Sequence, residues 1–62
     1  MQTTFTDITG STINVIVNRN PLQNNYYAFI QSANEMWSWM GTGAKKSLAL
    51  EDAIQQWNAN LV

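Results

Sequence analysis

The chain contains neither cysteine nor histidine. The first absence excludes disulfide staples, and together they remove the usual zinc ligands and the base that activates a serine or threonine nucleophile. Charge is also scarce: 3 basic and 4 acidic residues make up 11% of the chain and leave a net charge of -1. A protein that grips phosphate backbones needs a basic footprint, so duplex nucleic acid is not an expected partner. No apolar run approaches the ~18 residues of a membrane span, so no membrane association is expected. The opening MQTTFTDITG has no basic segment followed by an apolar one, so no signal peptide is expected and the cytoplasm is the default location.

What remains is a 62-residue chain rich in Asn, Gln and Thr, with 45% hydrophobic residues and three tryptophans. It reads as one domain, residues 1–62. A domain of this size buries only about 60% of the surface that its unfolded chain exposes. At about 0.05 to 0.15 kcal/mol per residue its net stability would be roughly 3 to 9 kcal/mol. With no disulfide or metal to add to that, a homo-oligomer or a small protein partner is expected.

Apolar residues alternate with polar ones through the first two thirds of the chain. Thr3 to Val17 reads as a hairpin closed at Gly10-Ser11, which would place Ile8 opposite Ile13 and Phe5 opposite Ile16. The strand from Thr12 to Asn18 is dominated by β-branched residues. Asn18 to Asn25 carries the only proline and reads as a loop. A second hairpin, Tyr26 to Ser32 with Glu35 to Met40, would turn at Ala33-Asn34 and set Ile30 opposite Trp37 and Ala28 opposite Trp39. Gly41-Thr42-Gly43 then reads as a break.

Beyond the break the period becomes helical. Leu50, Ala53, Ile54, Trp57 and Leu61 fall within about 100° of arc, predicting a helix from about Leu48 to Asn60 capped by Ser47. Glu51 and Asp52 are adjacent and diverge around the helix, so they suit its N-terminal dipole and not a shared proton or metal. The segment from Gly41 to Ser47, GTGAKKS, has the wrong glycine and lysine spacing for a phosphate loop and reads as a turn. No catalytic, cofactor or metal site is expected.

The expected architecture is therefore α+β, a four-stranded antiparallel meander followed by one C-terminal helix on one face. On the pairing above, Ile8, Ile13, Val15, Val17, Ala28, Ile30, Trp37 and Trp39 would face the helix, with Trp57 against them. Phe5, Ile16, Tyr27, Phe29, Met36 and Met40 would form an apolar patch on the other face, the expected partner-binding surface. Two alternatives remain beside a protein-interaction module: a single-stranded nucleic-acid binder that stacks bases on these aromatics, and a phage- or plasmid-encoded inhibitor of a host enzyme.

From Thr12 onward the order of elements and several residues resemble the HicB-like antitoxin domain. The matching stretches are Ile13 to Val17, Tyr26-Tyr27-Ala28, Met36 to Gly41, and Glu51-Asp52-Ala53-Ile54. The resemblance implies a fold that sequesters a small toxin RNase by protein contact. The chain departs from that pattern in lacking the usual threonine cap, in having Ala33-Asn34 where the family has proline-glycine, in an added first strand, and in showing no C-terminal DNA-binding segment, which counts against operon autoregulation and with it the antitoxin role.

Overall fold

Each strand pairs with its neighbour in sequence. The computed structural model describes residues 1–32 and 34–62, and in it β1 (Gln2–Thr6), β2 (Thr12–Asn20), β3 (Asn25–Gln31) and β4 (Trp37–Gly43) precede a helix, α1 (Lys46–Ala59). The strands form one antiparallel sheet in the order β1-β2-β3-β4, and α1 lies across one face. This is the α+β meander that the alternation predicts. Side chains point to opposite faces at successive positions, so Val15 and Val17 of β2 and Ala28 and Ile30 of β3 share the helix side. With Ala49 and Ala53 of α1 they form the buried core.

The β2–β3 connection is shorter than the expected eight-residue loop. Both strands extend inward, leaving Pro21 to Asn24 as the turn. The Asn20 side chain accepts the Leu22 amide at 3.1 Å, and Asn24 takes a positive φ of 52°. Asparagine tolerates that conformation and supplies local acceptors, which is why an Asn-rich segment can turn tightly.

The first hairpin closes differently from the two-residue turn expected at Gly10-Ser11. Phe5 pairs with Ile13 and Thr3 with Val15, a shift of three residues from the predicted register. An odd shift exchanges the faces of a strand. Phe5 therefore lies on the helix side, half-buried against the core, and Ile8 sits exposed in the connection. Asp7 causes the shift. Its Oδ1 accepts the Thr9 amide (2.9 Å), the Thr9 hydroxyl (2.6 Å) and the Ser11 amide (3.0 Å), while its backbone amide donates to the Ser11 carbonyl (2.9 Å). The turn is built around this carboxylate, with Gly10 at φ 87° closing it.

The second hairpin also differs from expectation, and here the difference changes what the tryptophans do. Ala28 pairs with Gly41, but Phe29 pairs with Trp39, so Met40 is an extra residue in β4. Such a bulge reverses the alternation on either side of it. Gly41 and Gly43 face α1, whereas Trp37 and Trp39 face away from it and are 38% and 62% exposed. The expected placement of these two indoles in the core is thus overturned. Met40 packs against the core instead of the open face. Ala33 of the expected Ala33-Asn34 turn lies outside the described residues.

The glycines form part of β4, not a break after it. A Cβ on Gly41 would stand 2.4 Å from the Ala53 nitrogen, and one on Gly43 would stand 2.6 Å from the Ala49 nitrogen. The helix consequently starts two residues earlier than expected, with Lys45 at its N-cap and Ser47 inside its first turn. With the helix starting at Lys46, Glu51 and Asp52 lie beyond its first turn and not at the dipole's positive end as expected; Asp52 instead accepts the Thr42 amide on Oδ2 at 3.0 Å, tying α1 to β4. The recesses beside Gly41 and Gly43 are filled by helix backbone, which leaves no cradle for a phosphate in this segment.

Candidate functional site

One helix covers one face of a four-stranded sheet, and the other face is open. The strand registers arrange that open face in rows. The central row runs Gln2, Ile16, Phe29, Trp39 across all four strands. Beside it, Asn18, Tyr27 and Thr42 align on one flank. On the other, Asn14 Nδ2 donates to Gln31 Oε1 at 3.1 Å, and Gln31 pairs with Trp37. The Tyr27 and Trp39 rings meet across the strands, with centroids 5.8 Å apart and planes at 49°. A tilted aromatic pair of this kind is favoured by the ring quadrupoles. Trp39 is further oriented by its indole N–H, which donates to the Gly41 carbonyl at 2.9 Å.

Of the six residues expected at a partner-binding patch, Ile16, Tyr27 and Phe29 are brought together here. Phe5 and Met40 belong to the helix side, and Met36 is exposed in the β3–β4 connection, outside the strand ladder. Trp37 and Trp39 replace them. Only the β4 bulge puts these indoles beside Phe29, and simple alternation cannot show it. The available signal was Gly41-x-Gly43 at strand spacing, followed by Ala49 and Ala53 at helical spacing: small residues in both elements mark a close approach.

The open face carries no charged side chain. Arg19 follows the helix-side alternation of Val15 and Val17, and its guanidinium donates to Asn24 Oδ1 at 3.0 Å. Asp7 and Glu35 lie in connections, and Lys45, Lys46, Glu51 and Asp52 lie at or on α1. What the face offers chemically is aromatic rings, one aliphatic side chain, amides and hydroxyls. A recess at the ends of β2 and β3 borders the open face at Asn14 and Gln31 and is lined also by Thr12, Ser32, Glu35 and Trp57 among others. Its single ionisable group, Glu35, has no second acid or base beside it to make a catalytic pair. Among the described residues there is no cluster of three potential metal ligands, and no helix is long and apolar enough to cross a membrane.

The one strongly perturbed group has a structural task. Asp7 is buried, and the Thr9 hydroxyl and the Trp57 indole N–H, the latter 3.0 Å from Oδ2, hold its carboxyl down from 3.8 to about 2; the Ser11 and Thr9 amides add to this and burial opposes it. A depressed carboxyl pKa contributes stability that is complete above the unfolded value and disappears as pH falls through the folded one. Thermal stability should therefore decline between about pH 4 and pH 2 in the native chain, and Asp7→Asn should flatten that decline. Melts of both proteins across this range would check it; equal slopes would mean that Asp7 does not carry the effect.

Comparison with family models, with curated proteins and with solved structures finds no match.

Proposed function

We propose that this chain is a small, non-enzymatic protein-interaction module of the cytoplasm, and that it binds through the open face of its sheet. The observation that carries this reading is the cluster of Ile16, Tyr27, Phe29, Trp37 and Trp39 on a surface without charge. An exposed apolar patch is a liability to a free monomer and is retained where something covers it. Aromatic enrichment with depletion of charge is also the composition of interface centres. The sequestration of a small toxin RNase, implied by the HicB-like resemblance, is the finer form of this proposal. An inhibitor of a host enzyme would use the same face.

Exposure of Trp37 and Trp39 also favours a second reading, base stacking on a single strand. Against it stands the absence of any Lys or Arg on the face to meet phosphates. Placing a photo-crosslinking aromatic amino acid at position 39, with position 55 on the exposed side of α1 as control, separates these readings inside the cell. Position 39 should capture protein and position 55 should not. Equal capture at both sites, or none at 39, would end the interaction proposal, and affinity of the purified chain for a labelled oligonucleotide at low salt would replace it with the stacking one.

A further inference from the structure

Building on that reading, we infer that the occupant of the open face is a second copy of this chain, packed sheet against sheet about a twofold axis. Three observations point to it. The first is charge. In a twofold interface each surface meets its own copy, so a charged side chain near the axis would face a like charge. A face that recruits a different protein has no such restriction and gains speed and selectivity from complementary charge. Here Arg19 follows the helix-side alternation of β2 and the other acidic and basic residues lie in the connections or on the helix, an arrangement that lets the face meet its own copy without like-charge repulsion.

The second observation is size. The molecule measures 34 × 20 × 16 Å along its principal axes, so its broad side is comparable with the ~800 Å² per partner of a standard interface. The third is the smallness of the core. Among the described residues only Val15, Val17, Ala28, Ile30, Ala49 and Ala53 are buried hydrophobics, while Trp39 is 62% exposed. A domain below about 70 to 80 residues is commonly supplemented by a disulfide, a metal or a partner, and this chain has no cysteine or histidine to provide the first two. Two such sheets, about 10 Å apart and aligned within about 30°, would form a sandwich with Phe29 at its centre and a helix on each outer side.

Sedimentation of the purified full chain tests the inference. The native protein should run as twice its 7.0 kDa mass at about 100 μM and dissociate towards the monomer on dilution. Trp39→Ser should weaken association by about 30-fold or more, as loss of a central interface aromatic does. Asn14→Lys, a change at an exposed polar strand position, should also weaken it, and high salt should restore part of the loss; it serves the same purpose if Trp39→Ser fails to fold. A native chain that stays monomeric throughout would overturn the inference, as would a dimer unaffected by both changes. Capture of a different protein by position 39, together with a monomeric native chain, would leave the interaction proposal standing and reject the second copy alone.

Discussion

Gly41→Ala should cost a large share of the folding stability of this domain. Strand propensity alone argues the opposite, since glycine in a strand is entropically costly and leaves nothing to pack. Geometry decides the sign. The added methyl would lie 2.4 Å from the Ala53 nitrogen, 2.7 Å from the Ala49 carbonyl oxygen and 2.8 Å from the Ala53 Cα. All three are backbone atoms, so no change of rotamer relieves the clash and α1 must move off the sheet. Overpacking costs about 1 to 3 kcal/mol, and more where backbone must shift, against an expected total of roughly 3 to 9 kcal/mol. Gly41→Val should not fold. Urea or thermal unfolding followed by far-UV circular dichroism would measure this; an alanine variant as stable as the native chain would show that the helix does not rest on Gly41.

Ile30→Ala should destabilise by about 2 to 5 kcal/mol, whereas Trp39→Ser, which removes a much larger side chain, should cost the isolated monomer only about 1 kcal/mol. Ile30 is 1% exposed between Val15 and the helix, so its truncation leaves a cavity as well as losing buried area. Trp39 stands mostly in solvent, and its removal forfeits one ring contact and one hydrogen bond to a carbonyl. The comparison has to be made in dilute solution, because a dimer would add its association energy to the apparent stability of the native chain. If Trp39→Ser proved as damaging as Ile30→Ala, the indole would have to be a core residue, and the β4 register would be misplaced.

That contrast marks the boundary of what the residues disclose in advance. The elements and their order were legible because period-2 alternation in Ile13, Val15 and Val17, and helical spacing from Leu50 to Trp57, are local properties of the chain. Ile16, Tyr27 and Phe29 could be assigned to the open face for the same reason. Register was not legible, because two features reset the parity. The Asp7 carboxylate gathers Thr9 and Ser11 into a turn longer than Gly10-Ser11 alone would make, and Phe5 crosses to the core side. In β4, Trp37, Trp39, Gly41 and Gly43 are all odd-numbered, so an unbroken strand would put all four on one face. Two indoles cannot share the side on which a helix backbone approaches two glycines so closely. The extra residue at Met40 resolves that conflict by sending the tryptophans to the far face.

The tie between Asp7 and Trp57 gives the molecule a closed wiring. All three strand pairings join neighbours in the chain and could form one hairpin at a time. Asp7 Oδ2 with Trp57 Nε1, and the Ile8 amide with Asn58 Oδ1 at 3.1 Å, instead span 50 residues. The turn after an edge strand is thereby clasped to the last turns of the terminal helix, two places where a small domain would ordinarily fray on its own. Because each holds the other, loosening of either end becomes a single event, and a linear meander acquires the cooperativity of a ring.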